Sequence, residues 1–408
     1  MKQYYTANGG KPVYLLLLDA SKAFDKVSFN MLFNMLLDKN VCPRIIKMLY
    51  FMYTTQSCYV TWSNSRSDKF TISNGVKQGA VISPLLFTMY VDGLFMQLKN
   101  LGLGCHVGLT YAGSFGYADD IALIAPSIYS LEKMICVCES YAKLHHIHFN
   151  PTKSKLLCFN TNAFPICPIF LNNQQITIVT CDKHLGNYIS NDIYDRNIDG
   201  QVCAFYQRSH AIINDFRVCN SVTLDALHRT YCMHMYGCEL WNLTDKKINT
   251  FRIAWRKIKR RIWKLPFRAH NAIVHNLNYD FDITLEMRIV RFVHSSLNHS
   301  NNVCRFISRS NLLCVRSTMS DNYHYLSYKY RLSDSDWYSD LNHLLGKVKM
   351  KQCDLYKCPN IVNNVLELCA IRDNSLICEH LNYYEICDLI KLVSTDWLTS
   401  ICLIVYSI

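Results

Sequence analysis

Three aspartates beside apolar segments are the residues best suited to chemistry in this sequence. Asp19 directly follows the apolar run 13–18, and Asp119 and Asp120 lie between two apolar stretches. Charge buried beside such segments costs several kcal/mol unless something compensates it. Two Mg²⁺ ions held roughly 3.5–4 Å apart by carboxylates would compensate it, and such a pair catalyses phosphoryl transfer. Taken alone, an Asp-Asp pair is more often a solvated turn than a metal site, so the prediction depends on all three converging.

The elements predicted to position these aspartates are a buried strand and a hairpin. The run 13–18 is continuously apolar, as in a strand covered on both faces. The segment 117–125 is predicted to form a hairpin with the carboxylates at its tip. The side chains can share one metal pocket only if this strand and this hairpin are neighbours.

Helix and strand signals follow in an order typical of an α+β fold. Ser28 can cap a helix, and Pro43 can open a second one. Their apolar positions at helical spacing are Phe29, Leu32, Phe33, Leu36 and Leu37, then Ile45, Met48, Leu49, Met52 and Tyr53. Further predicted elements are a hairpin over 58–72, a helix over 83–99, a helix over 130–145 and strands at 155–159 and 176–179. We therefore predict an antiparallel sheet with helices packed on it up to about residue 190, and mainly helical structure beyond.

The bulk composition favours an intracellular protein with a polyanionic partner. The formal net charge is +12, from 43 Lys+Arg against 31 Asp+Glu, which suits nucleic acid, although a merely soluble basic protein has the same balance. Twenty cysteines without a recognisable signal peptide indicate reduced thiols. No apolar run is long enough to span a bilayer, so we expect no membrane association.

Two other clusters are weaker candidates for metal binding. Five possible zinc ligands lie near one another, but they contain no paired CxxC spacing: Cys353, Cys358, Cys369, Cys378 and His380. His145, His146 and His148 precede a predicted strand and are better explained as packing and turn residues. We predict no metal site at either place.

Five motifs resemble, in order, those of reverse transcriptases from non-LTR (LINE-type) retrotransposons. LLLLDASKAFDKV (15–27) is similar to motif A, NGVKQGAVISPLLF (74–87) to motif B and GYADDIALIA (116–125) to motif C. HIHFNPTKSKLLCF (146–159) resembles motif D, and HLGNYIS (184–190) resembles motif E. YGCELW (236–241) and WRKIKRRIWKLPFRAHN (255–271) look like the thumb of the same polymerases, and LELCAIRD (366–373) matches weakly.

The resemblance implies a role for each matching residue. Asp19, Asp119 and Asp120 would be the catalytic metal ligands for two Mg²⁺ ions, with Mn²⁺ as an alternative ion. Lys153 matches the motif D lysine, a proton donor or charge stabiliser for pyrophosphate, and Lys155 is the second choice.

Five further residues match nucleotide-binding positions. Phe24 matches the steric gate that excludes a ribose 2′-OH, although without the motif it would be an ordinary core aromatic. Gln78 and Gly79 would line the nucleotide and template, and Tyr117 and Ala118 would flank the primer end. Ala80 stands where many relatives carry a second glycine.

The segment 251–268 contains eight Lys/Arg and no acid, interleaved with Trp255, Trp263 and Phe267. A basic helix of this kind can follow a nucleic-acid backbone, or it can pack Ile253, Ile258 and Ile262 inward beneath a solvated cationic face. The two interpretations of this segment are compatible with each other. The predicted nucleic-acid contacts are Arg256, Lys257, Arg260, Arg261 and Lys264.

The resemblance implies a right-hand polymerase palm over 1–190 with a remnant of the fingers, a helical thumb over 191–300 and a helical region over 301–408. The expected function is RNA-directed DNA synthesis from an RNA template, a DNA primer and deoxynucleoside triphosphates, inside the cell and by resemblance in the nucleus. The short segment before Asp19 suggests a truncated copy that lacks the fingers and the endonuclease domain. A catalytically inactive nucleic-acid-binding remnant is therefore the alternative, and Phe24 disfavours an RNA-templated RNA polymerase.

Overall fold

The computed structural model describes residues 10–161, 167–191, 196–267, 274, 281–313 and 317–355, with side chains described up to 351. The chain divides into unit 1 (Met1–Tyr194) and unit 2 (Asp195–Ile408). Strands are confined to unit 1 among these described residues, whereas those of unit 2 form helices and connecting turns. The predicted α+β class, with helical structure following a sheet, is therefore confirmed.

Unit 1 contains fifteen strands and four α-helices in its described part. The strands are β1 (Val13–Asp19), β2 (Ser57–Cys58), β3 (Thr61–Trp62), β4 (Ser65–Arg66), β5 (Phe70–Thr71), β6 (His106–Val107), β7 (Thr110–Tyr111), β8 (Ser114–Tyr117), β9 (Asp120–Ala125), β10 (Lys155–Phe159), β11 (Phe170–Leu171), β12 (Gln174–Gln175), β13 (Thr177–Val179), β14 (Cys181–His184) and β15 (Asn187–Ser190). The helices are α1 (Phe29–Asp38), α2 (Pro43–Thr54), α3 (Ser83–Leu101) and α4 (Ile128–Leu144), with a 3-10 turn at Phe24–Lys26.

The main sheet of unit 1 has the strand order β13-β10-β1-β9-β8. Its central strand β1 pairs antiparallel with β9 on one side and with β10 on the other. The predicted antiparallel sheet is confirmed for four of the five strands, and at one edge β13 runs parallel to β10. The connection 160–176 is long enough to cross over and return in the same direction, which a tight hairpin cannot do.

Side-chain alternation along β1 separates two apolar layers, as predicted for a strand covered on both faces. Leu16 and Leu18 belong to a large core that includes the helices. Leu15 and Leu17 belong to a smaller cluster on the opposite face, together with residues from β9 and β10. Asp19 follows Leu15 and Leu17 in this alternation, so its side chain lies on the face opposite the helices.

The helices of unit 1 begin and end close to the predicted signals. Ser28 is the N-cap residue of α1, although its side chain makes no capping hydrogen bond, and Pro43 is the first residue of α2. Ser83 and Pro84 open α3, which ends before Gly102 in the left-handed conformation (φ 69°). Helix α4 corresponds to the helix predicted over 130–145 and buries Leu131, Met134, Ile135, Cys138 and Ala142.

The apolar faces predicted for α1 and α2 are partly wrong. Four of the residues predicted to pack inward are exposed: Leu37, Ile45, Met48 and Met52. The residues that pack inward are fewer and form a narrower stripe on each helix: Phe29, Leu32, Phe33 and Leu36 on α1, and Ile46, Leu49 and Tyr53 on α2. Helical spacing identifies an apolar side of a helix, but the neighbouring elements determine how much of that side they cover.

The described part of unit 2 is built from helices around its own core. They are α5 (Arg196–Asp215), α6 (Ser221–Cys232), α7 (Lys246–Ile262), α8 (Phe281–Leu297), α9 (Asn302–Leu312), α10 (Thr318–Tyr330), α11 (Asp334–Trp337) and α12 (Leu341–Leu355), with a 3-10 turn at Cys238–Leu240. Trp241, Trp255 and Trp337 are its largest fully buried side chains. Across the described residues, none of the helices combines the length and apolarity needed to cross a bilayer.

Candidate active site

The register of the central sheet brings the two aspartate segments together. Asp19, the last residue of β1, is the direct partner of Asp120, the first residue of β9. Directly opposed residues of an antiparallel pair project to the same face, with Cβ atoms about 4.5–5.5 Å apart. Asp119 lies in the turn between β8 and β9, next to Ala118, which adopts a positive φ of 51°. The hairpin predicted from the sequence is therefore present, with both carboxylates at its tip.

The electrostatics of this cluster indicate a site that a cation would stabilise. One carboxylate oxygen of Asp19, Oδ2, is buried and has no hydrogen-bond partner among the described residues. Partial burial raises the pKa of the Asp120 carboxyl, the charges of Asp119 and Asp19 raise it further, and His184 opposes them. Three acidic side chains that repel one another, one with an unsatisfied buried oxygen, provide the hard oxygen donors that Mg²⁺ prefers.

The side chains are not arranged as a finished coordination shell. Within the described residues, no three His, Cys, Asp or Glu side chains stand close enough together to hold a metal ion as they are. The backbone register sets the positions of Asp19 and Asp120, whereas Asp119 and Asp120 are exposed and free to rotate. The donor set thus fits a divalent cation chemically, and binding requires a change of rotamers.

A set of backbone contacts holds Asp19 at the end of β1. The Asp19 N–H donates to Ser154 Oγ at 3.2 Å, and the Ser154 hydroxyl donates to the Asn150 carbonyl at 2.7 Å. The Asn150 N–H donates in turn to the Asp19 carbonyl at 2.9 Å. Ser154 is fully buried. Apart from their place inside motif D, Ser154 and Asn150 carry no signal in the sequence that would have predicted these contacts.

Phe24 is positioned by a close junction between motifs A and B. Its ring is half-buried and stacks on Phe87 of α3, with centroids 4.8 Å apart and an interplanar angle of 17°. Its carbonyl accepts a hydrogen bond from the Val76 N–H at 2.8 Å. Gly75, with φ of 88°, lies so close to Asp25 that an added Cβ would stand 2.8 Å from the Asp25 carbonyl oxygen. Glycine is therefore required where the two motifs meet.

The exposed part of this junction carries the predicted nucleotide-binding pair. The Gln78 side-chain amide donates to Asp25 Oδ1 at 3.1 Å, so Asp25, which the sequence analysis missed, orients Gln78. Gly79 has a φ of 81° and nothing within 4 Å of the position that a Cβ would take. Open space beside Gly79 leaves room for a ligand to approach the backbone.

The remaining predicted residues of unit 1 lie around the hairpin and the motif D strand. Tyr117 is 69% exposed beside the carboxylates. Lys153 is exposed in the turn before β10, whereas Lys155 is the first residue of that strand and donates to the Thr152 carbonyl at 3.0 Å. Lys155 is opposite Leu17 in the register, so its side chain begins on the same face as Asp19. Both lysines remain candidates for the motif D role.

The basic helix α7 is only partly as predicted. Trp255 and Trp263, which interleave with the cations of this segment, lie in the core of unit 2. Ile258 and Ile262 pack inward as expected, but Ile253 is exposed. The five predicted contacts differ in exposure: Lys257, Arg261 and Lys264 are exposed, whereas Arg256 and Arg260 are half-buried.

One lysine of α7 points inward rather than to solvent. Lys259 is fully buried and pairs with the buried Asp225 of α6. Beside it, Ser209 Oγ and His228 Nε2 are 3.0 Å apart. Hydrophobic spacing alone did not predict this polar network, because Lys259 was indistinguishable from its solvated neighbours in the sequence.

The histidines before β10 do not form a metal cluster. His145 is buried, stacks on Tyr141 with centroids 3.7 Å apart, and its Nδ1–H donates to the Tyr141 carbonyl at 3.0 Å. Burial lowers the pKa of His145. His146 and His148 are exposed. The packing role expected for this segment is therefore confirmed for His145, and the proposed zinc ligands near the C-terminus lie outside the described side chains.

The sequence of unit 1 matches a family of known proteins. Residues 2–191 match the family described as "Reverse transcriptase (RNA-dependent DNA polymerase)". The chain is 26% identical over 194 residues to the transposon TX1 uncharacterized 149 kDa protein of Xenopus laevis, covering 47% of the chain and 15% of that protein. It is 28% identical over 122 residues to the retrovirus-related Pol polyprotein from the type-2 retrotransposable element R2DM of Drosophila melanogaster, covering 30% of the chain and 11% of that protein.

These relatives are much longer than the chain, which spans less than a sixth of either one. Among solved structures, the chain is similar to apo telomerase from Candida tropicalis at 10% identity and a TM-score of 0.36. That match covers 96% of the chain and 55% of the telomerase chain.

Proposed function

We propose that residues 2–191 form a reverse transcriptase domain related to those of non-LTR retrotransposons and that the chain copies RNA into DNA. The reaction adds deoxynucleotides to the 3′ end of a DNA primer paired with an RNA template. The observation that carries the proposal is the direct pairing of Asp19 with Asp120 beside Asp119, with one Asp19 oxygen left without a partner. The nuclear location implied by the family resemblance is part of the same proposal.

Each candidate residue has a role in this reaction. Asp19, Asp119 and Asp120 would hold two divalent cations. When bound, such ions activate the attacking hydroxyl and neutralise charge on the transferred phosphoryl group. The Ser154–Asn150 contacts fix the backbone of Asp19, so the position from which its carboxylate projects is set before a cation binds.

The nucleotide-binding side is formed by the junction of motifs A and B. The Phe24 backbone accepts a hydrogen bond from the Val76 N–H and its ring stacks on Phe87, so the ring cannot easily move aside for a ribose 2′-OH. A rigid wall of this kind selects deoxynucleotides by exclusion. Gln78, oriented by Asp25, presents its remaining polar atoms to the base pair being formed.

A primer-extension assay tests the proposal. The purified chain is supplied with poly(rA)/oligo(dT), dTTP and Mg²⁺, alongside Asp119→Ala and the matched control Asp68→Ala, which removes an exposed carboxylate of the β4–β5 connection. We expect incorporation by the unmodified chain and by the control. Loss of an essential metal ligand should lower the rate about a thousandfold, equivalent to about 4 kcal/mol of transition-state stabilisation.

A different outcome would support the inactive remnant instead. Salt-sensitive binding of RNA by the unmodified chain, without any incorporation in Mg²⁺ or Mn²⁺, would refute catalysis by this chain and retain its affinity for nucleic acid. Equal use of ribonucleotides and deoxynucleotides would refute the role given to Phe24.

A further inference from the structure

A cleft of about 960 Å³ opens on the helix-packed side of unit 1. It is bordered by α1, α2, the end of α4 and the strand β5 with the residues after it. Phe29 and Ala142, which line it, belong to the core layer that contains the helices. Asp19 and Asp120 project from the opposite face of the sheet, so this cleft is separate from the catalytic carboxylates.

The lining of the cleft carries positively charged side chains. Lys26, Lys143 and His146 line it, and its lining contains no acidic side chain. In the described part of the chain, neither Lys26 nor Lys143 forms a salt bridge. Two ammonium groups facing one cavity without a carboxylate favour an anionic occupant, because phosphate oxygens accept charge-assisted hydrogen bonds from both.

Hydrogen-bonding groups and one aromatic ring complete the lining. The polar groups are hydroxyls and amides, which suit sugar and phosphate oxygens: Ser28, Asn30, Thr54, Thr71, Ser73 and Asn74. The N-terminus of α1 adds N–H groups that the Ser28 side chain does not cap. Tyr50 is 51% exposed, and its ring is held edge-on against Phe33 at 5.2 Å. A fixed, half-exposed ring beside cationic side chains is a stacking surface for a base.

We propose that this cleft binds a segment of single-stranded RNA outside the polymerisation site. The cavity is larger than a single phosphate group requires, and its combination of cations, hydroxyls and one stacking ring suits consecutive nucleotides. The positive charge of the whole chain, +12, is consistent with such a ligand. The choice of RNA rests on the proposed function, in which RNA is the molecule that is copied.

Equilibrium binding of labelled single-stranded RNA at several salt concentrations tests the proposal. The variant K26A/K143A removes the two ammonium groups, and K99A/K133A removes two exposed lysines of unit 1 that do not line the cleft. If two phosphate contacts are lost, the slope of log K against log salt should become shallower by about 1.4, at about 0.7 per contact. The control variant should keep the slope of the unmodified chain.

A second variant separates stacking from charge. Tyr50→Leu should weaken RNA binding about 5- to 100-fold at every salt concentration without changing the slope, because a stacked base is lost and no charge is removed. Thermal unfolding monitored by circular dichroism verifies that each variant is folded. Primer extension on a short template should be unchanged in both cleft variants.

Two results would overturn the proposal. Equal slopes for K26A/K143A and K99A/K133A would overturn it. Calorimetric binding of inorganic triphosphate that disappears in K26A/K143A, with RNA binding unchanged, would identify a small-anion site instead and also overturn it. The proposed function fails separately if the unmodified chain incorporates no nucleotide, and the slope test can still support the cleft in that case.

Discussion

Replacing Asp19 with asparagine should separate the catalytic role of this carboxylate from its effect on stability. Asparagine has nearly the same shape but no charge, so the ends of β1 and β9 can keep their register. The carboxylates of Asp19 and Asp120 start from directly opposed positions. Two charges about 6 Å apart repel by about 1 kcal/mol in a water-like environment and about 3 kcal/mol at an effective dielectric constant of 20. Because Asp120 is exposed, the lower figure applies.

We therefore expect Asp19→Asn to raise the free energy of unfolding by about 1 kcal/mol in metal-free buffer at pH 7, while lowering the rate of primer extension about a thousandfold. The sign of the pH dependence follows from Asp120, whose pKa is raised above its ordinary value of 3.8. Because the pKa of Asp120 is raised, ionisation of its carboxyl destabilises the folded state at pH values above that pKa. Below pH 3.8, where the carboxyl is protonated in the folded and unfolded states, this destabilisation is absent. The gain in stability should therefore disappear by about pH 3.

Urea unfolding with and without Mg²⁺ measures both effects. Mg²⁺ at ten times its dissociation constant should stabilise the unmodified chain by about 1.4 kcal/mol, and it should stabilise Asp19→Asn much less. Asp68→Asn is the matched control, because that carboxylate is exposed and lies outside the cluster. A variant that is less stable in metal-free buffer, or that retains activity within tenfold of the unmodified chain, would refute this account of the site.

Three further predictions concern other buried groups. Phe24→Ala should increase ribonucleotide incorporation up to about 100-fold, measured as the ratio of kcat/KM for rUTP and dTTP, because the wall stacked on Phe87 is removed. Ser154→Ala should lower the free energy of unfolding by about 1–3 kcal/mol, because it leaves the Asp19 N–H without its partner, and it should raise the Mg²⁺ concentration needed for half-maximal extension. Burial, aided by the Lys259 charge, lowers the pKa of His228 to about 3, so the unfolded chain binds the proton more readily. The free energy of unfolding measured in urea titrations should therefore fall by about 1.4 kcal/mol per pH unit below pH 6.5.

Matched variants test these three explanations. Phe70→Ala removes an exposed aromatic residue of unit 1 and should leave nucleotide selection unchanged. Ser140→Ala removes a hydroxyl that bonds the Cys136 carbonyl on an exposed helix face, and it should alter neither stability nor Mg²⁺ dependence appreciably. His228→Gln should flatten the pH dependence between pH 3 and 6.5, and an unchanged slope in that variant would contradict the assignment to His228.

Much of unit 1 was predictable because its signals are local. A continuous apolar run identified β1, and the helix predicted over 83–99 agrees closely with α3. These features depend on backbone preferences and burial within a short segment, which the sequence states directly. The hairpin with its two carboxylates was predicted for the same reason.

Local patterns were less informative wherever burial depends on distant residues. Met48 and Met52 lie at helical spacing with buried residues and are nevertheless exposed, whereas Lys259 lies among solvated cations and is fully buried. The spacing of Trp255 and Trp263 within the same basic segment did not show that both belong to the core of unit 2. The sequence gives the chemical character of each side chain, and packing partners from other elements determine its environment.

For the candidate site, the amino-acid sequence alone determined which side chains are acidic, which segments precede them, and which ordered motifs they belong to. Only the tertiary structure determined that Asp19 stands opposite Asp120, that Ser154 and Asn150 hold the Asp19 backbone, and that Asp25 orients Gln78. The physical reason is that strand register and contacts between distant segments depend on how all the elements pack at once. A one-residue slip of β1 against β9 would leave every residue type unchanged and move the Asp19 carboxylate to the other face of the sheet.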